Sequence, residues 1–251
     1  MRKSLFLVSA FLILGLFSTA WSGSLNEIKA RGMLRIGTDA TYPPFQSVNK
    51  EGKIVGFEVD MGNELARRMG LKAEFIDTSW DGIFMALNSS KFDVIISSVT
   101  ILEKRKEAYD FSIPYRDSYR IVVVKKNDME IKGKADLKGK KVGVQLGTIS
   151  EKEAKSITGV GEVKSYNTFT EPFMELSFGR IDSIIVDSSV ANHFVKMYPD
   201  KFKTTGEPFL YSKQGIVIRK GEKELKEAID KALKGMFDDG WIKKFREMYM
   251  I

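Results

Sequence analysis

The chain has 251 residues, room for one large domain or two small ones, and a formal net charge of +7. It holds no cysteine and one histidine, His193, which argues against a disulfide framework, zinc-type clusters, Cys/His catalysis and a lipid-bearing cysteine. The lysines are dispersed and not interleaved with aromatics, a pattern of solvated faces and not of a nucleic-acid platform.

Arg2 and Lys3 precede an apolar run from Leu5 to Phe17 and small residues at Ser18, Ala20 and Ser22. That layout predicts a secretory signal peptide over 1–22, cleaved after Ala20 or Ser22. The competing reading is an uncleaved anchor, for which the run is short. Arg2 and Lys3 carry two of the seven net positive charges, so the mature chain keeps +5. A short helix over Leu25 to Ala30 ends at Gly32, and Met33 to Gly37 reads as a strand. The following Thr38-Asp39-Ala40-Thr41-Tyr42-Pro43-Pro44-Phe45 cannot continue a ladder through two prolines. It is a loop at a strand's carboxyl end, where ligands of open α/β sheets bind. Asp39 and Tyr42 there are either a carboxylate and an aromatic wall of a cleft, or a turn former and a packing residue. Gly52 marks a hairpin, Ile54 to Phe57 returns as a strand, and a helix runs from Glu58 to Met69. Acidic residues in its first turn complement the helix dipole, which by itself accounts for Glu58 and Asp60. Leu71 to Ile76 is the next strand, and Trp80 opens an amphipathic helix as a core residue or a second aromatic wall.

The short β-branched run Val94-Ile95-Ile96 predicts a buried strand. It empties into Ser97-Ser98-Val99-Thr100-Ile101-Leu102-Glu103-Lys104-Arg105. Thr100 and Glu103 have capping-box spacing, which predicts a helix starting directly after Thr100. A helix start suits an anion, and Arg105 adds a two-toothed donor for a carboxylate. The stretch reads as a seat for a small carboxylic acid, or as an ordinary strand–loop–helix join.

Tyr115 to Val124 holds a polar part, Arg116-Asp117-Ser118-Tyr119, then a strand. Lys141 to Val144 is a strand emptying into Gln145-Leu146-Gly147-Thr148-Ile149-Ser150, with a helix beginning near Glu151. Phe169 to Phe178 is a helix, and Arg180 to Asp187 a turn and strand ending in a carboxylate, an echo of Lys91 to Ser97. His193 reads as a helix-face residue. Gln214 to Arg219 is a strand segment, followed by closing helices over Lys223 to Phe237 and Trp241 to Met248.

Gly56-Phe57-Glu58-Val59-Asp60-Met61 with Leu65-Ala66, then Trp80-Asp81-Gly82-Ile83, Phe92 to Ser97 and Thr100 to Arg105, resemble, in order and spacing, the blocks of the polar amino-acid family of periplasmic solute-binding proteins. The resemblance covers nearly the whole mature chain. It implies an α/β fold of the two-lobe periplasmic-binding-protein type (type II), each lobe a central mixed sheet flanked by helices, with two crossover strands as hinge. The expected division is 23–117 with 212–251 as the first lobe and 118–211 as the second. The resemblance further implies that Arg105 takes the ligand α-carboxylate with Thr100 and backbone donors near Thr148 and Ile149, and that Ser97 is among the ligand-binding residues. Asp187 takes the α-ammonium with Ser98 and Thr100 assisting, Tyr42 and Trp80 sandwich the side chain, and Asp39 and Glu58 read its far end. Ile149 departs from the family, which usually has a hydroxyl there. Two aromatic walls and distal carboxylates suit a long cation, so the expected ligand is arginine, lysine, ornithine or histidine, with glutamine as an alternative. The expected partners are this amino acid and the membrane permease of an ABC importer, with no cofactor and no metal, the protein acting as a periplasmic monomer. A periplasmic enzyme like cyclohexadienyl dehydratase and a sensor subunit acting in trans are the other classes.

Overall fold

The computed structural model describes residues 24–251; the signal peptide expected over 1–22 lies outside the described residues. The first part of the chain runs α1 (Ser24–Arg31), β1 (Met33–Thr38), β2 (Thr41–Tyr42), β3 (Gln46–Val48), β4 (Ile54–Val55), α2 (Phe57–Arg68), β5 (Lys72–Asp77), α3 (Trp80–Asn88), β6 (Val94–Ile95), α4 (Glu103–Ala108), β7 (Tyr109–Phe111) and β8 (Arg116–Lys125). It continues through a 3-10 turn into β9 (Lys141–Gln145), α5 (Ile149–Ser156), β10 (Glu162–Tyr166), α6 (Thr170–Phe178), β11 (Ser183–Asp187), α7 (Ser188–Met197), β12 (Phe202–Gln214), β13 (Val217–Arg219), α8 (Lys223–Asp238) and α9 (Trp241–Tyr249).

Two five-stranded sheets result, in the orders β5-β1-β6-β13-β7 and β10-β9-β11-β8-β12, with β2-β3-β4 as a small antiparallel annex. Each large sheet has the same plan. Three parallel strands are followed by a fourth running the opposite way and a fifth that pairs antiparallel with the fourth. The central strands β6 and β11 are buried on successive residues because both faces are covered. Val94 and Ile96 point into a core shared with Met61 and Leu65 of α2 and with Leu233 and Met236 of α8, while Ile95 points to Ile83 and Leu87 of α3. In the second sheet Ile184 and Val186 face Phe173, Leu176 and Phe194 of α6 and α7, while Ile185 faces Ala154 of α5. Each such fully buried side chain contributes roughly 1.5–3 kcal/mol. This is the two-lobe α/β architecture that the sequence led us to expect.

Gly56 explains why the motif before α2 opens on glycine. Its φ is +138°, and a Cβ there would lie 2.3 Å from the Phe45 carbonyl oxygen. The close approach lets Phe57 N–H and Glu58 N–H donate to the carbonyls of Pro44 and Phe45 at 3.1 and 2.9 Å, which ties the Asp39–Phe45 loop to the helix start.

β8 and β12 pair antiparallel and span the gap between the sheets, with Ser212 opposite Ser118 and Gln214 opposite Arg116. The polar segment Arg116–Tyr119 is therefore part of one continuous strand. Near the first sheet, Ile101 N–H donates to Lys213 O at 2.8 Å, Gly215 N–H to Val99 O at 3.1 Å, and Thr100 bridges Gln214. This pairing corrects the capping expectation. Residues 99–101 are spliced onto the returning strand and stay extended, so α4 starts only at Glu103 with Leu102 as its cap and no side-chain cap bond. The cap appears instead in the other lobe, where Thr148 Oγ1 accepts from Glu151 N–H at 3.3 Å and α5 begins at Ile149.

Candidate functional site

The carboxyl ends of β1, β6 and β9 converge with the start of α3 on one cavity. From the first sheet's side Asp39, Tyr42, Gln46, Trp80, Ser97, Ser98, Thr100 and Arg105 line it. From the second come Arg120, Gln145, Thr148, Ile149 and Phe169. The two sides touch over it. Gln145 Nε2 donates to Asp39 Oδ2 at 2.7 Å, and the Tyr42 and Phe169 rings lie 4.2 Å apart.

Arg105, in the first turn of α4, curls back so that Nη1 donates to Thr100 O at 3.0 Å. Its guanidinium lies 5.5 Å from the Trp80 ring centroid and 5.1 Å from that of Phe84, within cation–π range. Among the described residues no carboxylate pairs with it. Burial, with repulsion from Arg120, lowers its pKa to about 10, still fully charged at neutral pH. A desolvated guanidinium without a counterion is a strong site for a carboxylate.

Asp39 leaves β1 with its N–H donating to Ser97 Oγ at 3.0 Å. Its carboxylate accepts from Thr41 Oγ1 and Gln145 Nε2, both at 2.7 Å. No cation pairs with it among the described residues. Burial raises its pKa, against the two hydrogen bonds that lower it. Tyr42 and Phe169 form the aromatic wall beside it; Trp80 stands edge-on to Phe84 at 5.7 Å.

Glu58 and Asp187 do not line the cavity. Glu58 is fully buried and accepts from Ser98 N–H at 2.8 Å, Ser98 Oγ at 2.7 Å and Tyr115 OH at 2.7 Å. Ser98 has φ +50°, a left-handed conformation uncommon for serine. Glu58 thus holds the strained backbone under the cavity floor, where the sequence had put it at the ligand's far end. Burial raises its pKa, opposed by Ser98, Tyr115 and Arg116. Asp187, expected at a ligand ammonium, caps α7 through Ser189 N–H at 2.9 Å. It also accepts from Ser118 Oγ at 2.6 Å, Arg116 Nη2 at 3.0 Å and Arg120 Nη1 at 3.3 Å. Burial would raise its pKa, but Arg116, Arg120 and Ser118 outweigh this and hold it at about 2.

Gln46, Arg120, Gln145 and Phe169 line the cavity without having been singled out from the sequence. Gln145 carried a usable signal, since it ends a strand before a glycine turn. Arg120 carried none, because only the pairing of β8 with β11 sets it opposite Asp187. His193 sits half-buried on α7, remote from this lining, its pKa lowered by burial.

Residues 34–251 match the profile of the bacterial extracellular solute-binding proteins, family 3. The L-cystine-binding protein TcyJ of Escherichia coli K12 is 41% identical over 234 residues, covering 92% of this chain and 88% of that protein. An ancestral arginine-binding protein solved with arginine superposes with a TM-score of 0.84 at 45% identity, over 87% of this chain and 98% of that one. The ancestral amino acid-binding protein AncCDT-1, a precursor of cyclohexadienyl dehydratase, superposes with a TM-score of 0.85 at 40% identity, over 90% of this chain and 99% of that one.

Proposed function

Because the chain belongs to the bacterial extracellular solute-binding proteins of family 3, an amino-acid-binding group, we propose that it captures an L-amino acid with a cationic side chain. Arginine, lysine, ornithine and histidine are the candidates, and glutamine is the neutral competitor. The observation that carries this reading is the pair of uncompensated charges on one cavity, Arg105 and Asp39. Arg105, with Thr100, Ser97 and the free N–H groups of the first turn of α5 at Ile149, takes the α-carboxylate. Tyr42, Trp80 and Phe169 enclose the side chain, and Asp39 with Gln145 meets its distal cation. Each charge-assisted bond contributes about 1.5–3 kcal/mol.

L-Cystine is the second reading, favoured by the likeness to TcyJ. Its distal ammonium would suit Asp39 equally, but its distal carboxylate would crowd Asp39, which carries no paired cation. AncCDT-1 raises the enzyme alternative; we read the chain as a binder because Arg105 and Asp39 complement the carboxylate and the distal cation of a basic amino acid.

The protein works in the periplasm, exported by the 1–22 leader, as a monomer that hands its ligand to the permease of an ABC importer. Residues 23–117 with 212–251 act as one lobe and 118–211 as the other, hinging on β8 and β12. Ligand favours the closed arrangement to the extent of its differential affinity. Calorimetric titration of refolded, ligand-stripped protein against all common amino acids and cystine tests this. Micromolar or tighter binding of a basic amino acid is expected, with a smaller radius of gyration in X-ray scattering on its addition. A preference for glutamate or aspartate refutes the pocket assignment.

A further inference from the structure

The corner of the cavity formed by the second lobe has more donors than acceptors. Five donors crowd the one carboxylate of Asp187: Ser189 N–H and Arg116 Nη1 on Oδ1, and Ser118 Oγ, Arg116 Nη2 and Arg120 Nη1 on Oδ2. Two oxygens offer about four lone-pair sites, so Asp187 has no capacity left. It is 0% exposed, and it is Arg120, not Asp187, that reaches the cavity lining. The Nε atoms of Arg116 and Arg120 are buried without an acceptor. A corner with surplus N–H groups is completed by an acceptor; an arriving ammonium adds another donor. Asp39 lies at the Gln145 end of the cavity and Glu58 is sealed beneath Ser98 and Tyr115. Neither of them stands beside Arg120.

We propose that Arg120 is a specificity-determining residue that occupies Asp187 where a ligand α-ammonium would otherwise dock, so that the site accepts carboxylic acids lacking an α-amino group as readily as the corresponding amino acids. The inference rests on the reading of Arg105 as the carboxylate anchor. It extends the ligand class to ω-amino and ω-guanidino acids, which keep the carboxylate for Arg105 and the distal cation for Asp39.

The test compares matched ligands on stripped, refolded protein by titration calorimetry: L-lysine against 6-aminohexanoic acid, and L-arginine against 5-guanidinopentanoic acid. In the unaltered protein each acid should bind within about 10-fold of its amino acid, less than the loss expected where a carboxylate meets the ammonium. Arg120→Gln removes the one guanidinium that stands between Asp187 and the cavity, leaving Arg116, Ser118 and Ser189 on its inner side, and should widen that ratio by about 10-fold or more in favour of the amino acid. A wider ratio than about 10-fold in the unaltered protein, or a ratio that R120Q leaves unmoved, overturns the proposal. Should R120Q fail to fold, the ratio in the unaltered protein decides alone. Arg105→Ala separates the two levels. If it abolishes binding of both members of a pair while the ratio fails as above, only this inference falls. If it leaves both affinities intact, or neither compound binds the unaltered protein, the anchor reading falls and this inference with it.

Discussion

The two lobes begin their central strands alike and end them differently. Before β6, Asp93 Oδ2 accepts from Arg35 N–H at 2.7 Å while Asp93 N–H donates to Arg35 O at 2.9 Å. Before β11, Asp182 makes the same two bonds to Lys141, at 2.7 and 2.9 Å. At the far ends the likeness stops. β6 runs into hydroxyls and then Arg105, a cation left uncompensated on the cavity. β11 runs into Asp187, an anion compensated twice over by Arg116 and Arg120. The repeated plan puts a charged group at each lobe's rim, but pairing within the lobe decides whether that charge is offered to a ligand or spent on the fold.

Removing each charge tests this contrast. The largest effect is expected at the compensated end. Asp187→Ala leaves two guanidiniums buried without their anion and should destabilise the protein by about 3–5 kcal/mol, read as a lower denaturation midpoint. A loss of ligand affinity with unchanged stability would show that Asp187 faces the ligand after all. At the uncompensated end the order reverses. Arg105→Ala should leave the denaturation midpoint nearly unmoved and weaken ligand binding by about 2–4 kcal/mol, roughly 30- to 1000-fold in calorimetric titration. Near-unchanged affinity would remove Arg105 from the site.

Asp39→Asn sharpens the comparison within the first lobe. It should cost arginine or lysine about 1.5–3 kcal/mol and glutamine much less, since only the cations lose a charge pair. Equal losses for all three would make Asp39 structural. The smallest effect is its pH dependence. The carboxylate is the form that holds a cationic side chain, and burial has raised its pKa. Affinity for lysine is therefore full above that raised pKa and declines as pH falls through it, starting at higher pH than for an ordinary carboxylate. Titrations between about pH 7 and about pH 4 should show lysine affinity falling while glutamine affinity holds; parallel curves would count against the charge pair.

What could be read without coordinates was local. Strands of buried β-branched residues, the Asp39 loop with its prolines and Trp80 opening α3 all follow from short-range patterns, whereas Gly56 and Phe57, read as the end of a strand, are the cap and first residue of α2. Cavities at strand carboxyl ends follow from the α/β plan, which is why Asp39, Ser97, Ser98 and Thr148 were legible as lining of this one. What the chain's distant pairings decided was charge compensation and helix onset. Gln214 pulls Thr100 into a bridge, so an apparent capping box goes unused and the helix starts later. β8 crossing beside β11 brings Arg120 opposite Asp187, which turns an expected ligand contact into an internal ion pair. Capping propensities act over three or four residues and are weak, about 1 kcal/mol. Desolvated charges are worth several times that, so the partner that burial delivers decides the role, and that partner lies far away in sequence.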